Sequence, residues 1–259
     1  MVRNIQMDMK RAIFSYKVIF ALFGIMLLWI INGKRFSQPE DLFYLFVYTK
    51  GLTITTLLAI IISNVGYGTS FCEDFKHYAI RPIVIRTSVK KYVISKIIVC
   101  SIVTMLIYVV GTLLFVLIMM KDLPLTTSSS MMVDNIKSAS CFDFLLPEHS
   151  FLVILIQCIL DGMCCCTMSV VALSLSTFIP NEFIVLCIPL VIYYLQIFLF
   201  IDTLKLPAIF DFEQVFMACF TDNISIGHFI LRALLVFLFY HIVFGVLMYW
   251  KVKRRVANE

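Results

Sequence analysis

The chain has 259 residues, 61% of them hydrophobic and only 14% charged, with a formal net charge of +5 and a mean hydropathy of +0.99. That composition excludes an ordinary soluble domain, and the length suffices for about six spans of about 20 residues, but not for an ATPase domain as well. A charge of +5 would suggest nucleic acid in a soluble protein; in a chain this apolar it reads as topology, and no nucleic-acid partner is expected.

Taken in order, residues 1–16 mix Met, Ile and Phe with Arg3, Asp8, Lys10 and Arg11, the pattern of an amphipathic helix lying in the inner membrane interface. Residues 18–31 are uninterrupted apolar sequence and form a first span. Asn32-Gly33-Lys34-Arg35 offers no small-x-small cleavage site, so the span is retained, with Lys17 snorkelling to the inner surface. A second span runs over about 46–67, with Lys50 near enough to its outer end to reach water. Its inner end, with Ser63, Asn64, Gly66 and Gly68, is small and polar, as a helix packed closely on a neighbour would be.

Residues 68–96 are the one charged passage between long apolar runs, with Lys76, Arg81, Arg86, Lys90, Lys91 and Lys96 marking a cytoplasmic loop. Phe71, Phe75, Tyr78 and Pro82 recur at steps of four, three and four, which predicts a two-turn amphipathic helix. Glu73 and Asp74 lie in its first turn and Arg81 at its end, as the helix dipole favours. Pro82 disfavours helix at the preceding residue, and Thr87 or Ser88 caps the next span. Gly68, Phe71, Glu73-Asp74-Phe75-Lys76, Ile80-Arg81, Ser88, Tyr92 and Ser95-Lys96 together resemble the coupling segment of type-2 ABC exporter permeases, in particular the bacitracin and lantibiotic self-protection group. Tyr78-Ala79 stands where that group has a small Gly-Thr pair, and Val89 where it has Arg.

A third span covers 92–120, with Lys96 at its cytoplasmic end, followed by a mildly acidic external segment over 121–150. A fourth span over 151–178 turns at Ile179-Pro180-Asn181-Glu182 into a fifth over 183–201. Residues 202–227 alternate polar and short apolar pieces and read as an external re-entrant or interface-lying hairpin. A sixth span over 228–250 ends in the basic stretch Lys251 to Arg255. Trp29, Tyr44, Tyr48, Tyr249 and Trp250 fall near span ends, as in an aromatic belt. The expected fold is therefore an all-α membrane protein: six transmembrane helices, an N-terminal interface helix and a short cytoplasmic coupling helix between the second and third spans, forming one permease domain over 1–259. This topology puts fourteen cations inside and seven outside, with both termini cytoplasmic.

None of the nine glycines sits in a GxxxxGK[ST] loop, and HExxH and GxSxG are absent, so the chain is not expected to be an enzyme. The nine cysteines lack metal-ligand spacing and read as small apolar residues, apart from Cys141 and Cys219, which could pair outside. Two ionisable residues lie deep in spans, Asp161 in the fourth and His241 in the sixth. Their depths differ by about 3 Å, so they could share a hydrogen bond if their helices are neighbours. Gln157, Cys165 and Met168 share a face with Asp161; this stripe either lines a path or seam or simply holds helices together.

The resemblance implies a membrane-spanning subunit of an ATP-driven exporter moving amphipathic or antimicrobial peptides. It further implies a separate cytoplasmic ATPase binding ATP and Mg, and a second permease copy or related permease. Phe71, Glu73, Asp74, Phe75, Tyr78 and Arg81 would then meet the ATPase, with Phe75 and Tyr78 in an apolar groove. The alternatives are a membrane scaffold or sensor whose charged loop docks a signalling partner, and an intramembrane enzyme. Topology is directly testable: cysteines placed at positions 129 and 222 should react with an impermeant reagent from outside, and cysteines at 90 and 258 should not. Outside labelling at position 90 would invert the arrangement.

Overall fold

The computed structural model describes residues 2–35, 39–50, 53–127, 133, 142–146, 148–196, 198, 204, 212–216 and 225–258. Among them there is no strand. The helices are α1 Val2–Ile13, α2 Tyr16–Gly33, α3 Leu42–Lys50, α4 Thr53–Val65, α5 Ser70–Lys76, α6 Ile80–Thr87, α7 Val89–Met119, α8 Ser150–Ser176, α9 Glu182–Leu195, α10 Phe212–Phe216 and α11 Ile226–Asn258. Among the described residues, five stretches are long and apolar enough to cross a membrane: Tyr16–Gly33, Ile54–Lys76, Val89–Met119, Ser150–Ser176 and Ile226–Ala257. That is the character of a multi-pass membrane protein.

Of the expected fifth span the described residues include α9, 14 residues long. Residues 197 and 199–201 of that expected span lie outside the described residues, as do Cys141, Cys219, positions 129 and 222, and most of the two expected external segments. Of the expected second span, α3 runs to Lys50 and α4 starts at Thr53, and residues 51 and 52 lie outside the described residues.

α7 and α8 form the centre. α7 packs against α1, α2, α8 and α11, while α8 also receives α4 and α9. Ser88 starts α7 by accepting a hydrogen bond from the Lys91 amide at 3.4 Å, so of the two caps considered it is Ser88 that serves. Asn181 does the same for α9, its side chain accepting from the amides of Phe183 and Ile184. Asp41 opens α3, taking the Tyr44 amide at 2.7 Å and the Thr127 amide at 3.0 Å, which ties α3 to the end of the segment after α7.

α1 is the expected amphipathic helix. Ala12 is buried, and Ile5 and Met9, each about one turn from the next, pack on the core beside it, while Met7, Ile13 and Phe14 are exposed. The small polar end of α4 is buried: Ser63 and Asn64 are fully covered, and Asn64 donates to the Val185 carbonyl of α9 at 3.1 Å. Trp29 departs from the aromatic-belt expectation. It is 1% exposed, its indole donating to Thr112 at 3.1 Å, because a buried indole N–H needs a partner and α7 supplies one.

α2 approaches α7 most closely at Gly111, where a Cβ would lie 2.9 Å from both Ile25 Cβ and the Leu22 carbonyl oxygen. Backbone atoms cannot retreat as a flexible side chain does. Gly111→Ala should therefore lower stability by about 1–3 kcal/mol, read as thermal unfolding in detergent; an unchanged melting temperature would contradict this contact.

Candidate functional site

The charged segment folds differently from a single two-turn helix. α5 ends at Lys76 and α6 begins at Ile80, with Tyr78 between them at φ 54°. The Tyr78 amide donates to the Phe75 carbonyl at 3.1 Å and the Ala79 amide to the Asp74 carbonyl at 2.9 Å, the paired bonds of a Schellman termination. Pro82 does not stop a helix. It is the third residue of α6, within a first turn whose amides lack intrahelical partners in any case.

Asp74 is completely buried and binds three donors: Arg11 Nη1 at 2.6 Å, Lys96 Nζ at 2.7 Å and the Tyr92 hydroxyl at 2.9 Å. Its neighbour Glu73 takes Lys17 Nζ at 2.5 Å and Arg11 Nη2 at 3.1 Å. Asp8 of α1 accepts from Ser95 at 2.5 Å and lies 3.8 Å from Lys96. Three carboxylates thus meet three cations, Arg11, Lys17 and Lys96, drawn with them from α1, α2, α5 and α7. Burial of the charges is tolerable because each is paired and hydrogen-bonded. Arg11, outside the spans, has its pKa raised: burial works the other way, but the hydrogen bond and charge of Asp74, and then the charge of Glu73, outweigh it.

The network takes up two cations from the ends of the first and third expected spans: Lys96 is 0% exposed and lies over the rings of Tyr67 and Tyr92, and Lys17 is held by Glu73. Not all six expected contact residues are free for a partner. Phe71 is buried, Glu73 and Asp74 are committed internally, and Phe75 is partly covered by the Arg255 guanidinium of α11 at 4.5 Å. Tyr78, 88% exposed, and Arg81 point outward, joined by Ile85 at 74% exposed.

A second polar centre lies inside the bundle. Asp161 Oδ2 is 2.5 Å from Lys50 Nζ and 3.2 Å from the Tyr108 hydroxyl, while Oδ1 is 2.5 Å from Gln157 Nε2. Gln157 donates as well to the Phe216 carbonyl of α10 at 3.1 Å. Lys50 also sits 3.9 Å from the Phe46 ring centroid, a cation–π contact strengthened by desolvation. Lys50 comes from the end of α3, and the carbonyls of Thr49 and Lys50 accept from the hydroxyls of Thr55 at 2.7 Å and Thr56 at 3.0 Å. Beside the pair lies a cavity of about 20 Å³ lined by Lys50, Thr56, Tyr108, Asp161 and Tyr193 among others, room for one water and not for a peptide.

The sequence stripe of Gln157 and Asp161 is thus brought together, with Cys165 at the cavity wall and Met168 buried. His241 is elsewhere. Its Nε2 lies 2.8 Å from Ser101 Oγ and its Nδ1 2.8 Å from the Phe237 carbonyl, on the α7–α11 seam. The partner of Asp161 is Lys50, the residue that sequence reasoning assigned to water. The signal was present: one cation and one anion, each alone in an apolar run, are expected to find each other.

No protein-family model matches the chain, and neither a curated protein nor a solved structure does. The geometry generates its own test. Lys50→Met or Asp161→Leu leaves the opposite charge buried and should destabilise the protein by about 3–5 kcal/mol, whereas the double variant Lys50→Met/Asp161→Leu removes both charges and should cost much less than the sum. Additive melting-temperature losses in detergent would mean that the two side chains do not act as a pair.

Proposed function

We propose that the chain is the membrane subunit of an ATP-driven ABC exporter, with six spans and both termini in the cytosol. A separate cytoplasmic ATPase binds ATP and Mg, a second permease copy or a related permease completes the transporter, and amphipathic or antimicrobial peptides are the cargo. The substrate class and the dimer come from the resemblance of residues 68–96 to the coupling segment of such permeases.

The observation that carries the reading is Tyr78. A bulky residue in the left-handed region is strained by about 1–2 kcal/mol where glycine would not be. Here the strained position carries an aromatic side chain 88% exposed to solvent. Strain retained at a surface position points to use by a partner. Tyr78, Arg81 and Ile85 are the outward face of a segment whose other side is fixed to α1, α2 and α7 through Glu73 and Asp74. A push on that face is therefore delivered to several helices, which is what coupling to an ATPase requires. Phe71, Glu73 and Asp74 act in this reading as the anchor, and Tyr78 as the contact.

The test is recovery of partners. The tagged chain, extracted from its native membrane in mild detergent, should carry an ABC ATPase with it. Tyr78→Asp and Ile85→Asp should each lower that recovery at least about tenfold without changing the melting temperature of the chain. Tyr78→Gly should separate the two roles of the position, gaining up to about 1 kcal/mol of stability from the relaxed backbone while losing the partner. Recovery of a signalling protein and no ATPase would replace the exporter reading with that of a scaffold or sensor.

A further inference from the structure

At the end of the bundle where α1, α6 and α7 meet, the three helices frame a cleft of about 590 Å³. α1 contributes Arg3, Met7 and Arg11, spaced at four residues and so on one helical face; α6 contributes Ile83 and Arg86, one turn apart. The cleft thus combines three guanidinium groups with an apolar lining.

Charge accounting separates these groups. Asp8, the one acid lining the cleft, is committed to Ser95 and Lys96. Arg11 is committed to Glu73 and Asp74, and the Tyr92 hydroxyl on the α7 wall to Asp74. Arg3 and Arg86 have no anionic partner among the described residues, and both are exposed. An occupant that completes the site must bring an anion that suits a planar fork, next to an apolar part that suits Met7 and Ile83.

We propose that this cleft binds an anionic glycerophospholipid, its phosphate held by Arg3 and Arg86 and the start of its acyl chains against Met7 and Ile83. A soluble phosphate would leave the apolar wall uncovered. The position of α1 favours the bilayer as source. Met7 is 56%, Phe14 83% and Tyr16 68% exposed, a row of apolar side chains at the foot of α2 that belongs at the lipid headgroup level rather than in water. A lipid seated there bridges α1 to α6, the helix carrying Arg81 and Ile85, and so ties the outward face of the charged segment to the membrane. The assignment is independent of what that face binds.

Native mass spectrometry of the full chain in neutral detergent tests it, with phosphatidylglycerol and phosphatidylcholine of identical acyl chains as probes. Phosphatidylglycerol should be retained about thirtyfold better, the preference that two basic side chains give at an anionic surface. R3Q/R86Q should bring it down to the phosphatidylcholine level, and R86Q alone should lose about fivefold. K90Q/K91Q, which removes two exposed cations outside the cleft at the same end, should keep the preference, and millimolar inorganic phosphate should not displace the lipid. The proposal is overturned if R86Q and R3Q/R86Q, folded as judged by gel filtration, keep the full preference. It is also overturned if K90Q/K91Q loses it equally, which would be general surface charge, or if inorganic phosphate displaces the lipid, which would make this a free-phosphate site.

Discussion

A carboxylate with no exposure to solvent is costly unless it is paired and hydrogen-bonded, and Asp74 obtains three donors from two helices: Arg11 of α1, and Lys96 and Tyr92 of α7. Removing Arg11 or Lys96 takes away a countercharge and removing Tyr92 a hydrogen bond to a buried carboxylate, so the helices that carry them are held in fixed relation to α5. Glu73 extends the constraint to α2 through Lys17. The consequence is mechanical. The short charged segment is an integral part of the helical bundle on its inner side, while its outer side, with Tyr78 and Ile85, remains open.

The Lys50–Asp161 pair applies the same rule deeper in the bundle, with a different structural device. Asp161 lies in the continuous helix α8, about 17 Å from its start at Ser150. Lys50 reaches it from the end of α3, where threonine hydroxyls from α4 donate to the Thr49 and Lys50 carbonyls. A paired charge and a cavity the size of one water occur together between α3, α4, α7, α8 and α10. In this conformation the centre is closed around that cavity.

Much of this was legible in sequence, for identifiable reasons. Long apolar runs set the helices α2, α7, α8 and α11, and the periodic Met and Ile residues of the first sixteen set α1. The charged stretch was recognisable because nothing else between apolar runs looks like it. What periodicity could not give was the direction of its side chains. Phe71, Phe75, Tyr78 and Pro82 share a face only if one helix continues through them, and the left-handed turn at Tyr78 breaks that face in two. The partners of the charges were hidden in the same way: Lys50 looks like a residue escaping to water, and it, Lys17 and Lys96 are all paired with carboxylates distant in the sequence. Pairing across 56, 111 and 22 positions is tertiary information.

Hydrogen exchange on the purified chain measures the central claim most directly, by comparing the amides of Ser70–Lys76 in the wild type and in Asp74→Asn. Loss of a hydrogen-bonded charge at this position removes about 1.5–3 kcal/mol of local stability. The account predicts α5 amides as protected as those at the start of α7 in the wild type, and exchange about ten- to a hundredfold faster in the variant, with α8 unchanged. Rapid exchange of α5 in the wild type, or protection that survives the substitution, would contradict a segment anchored through Asp74.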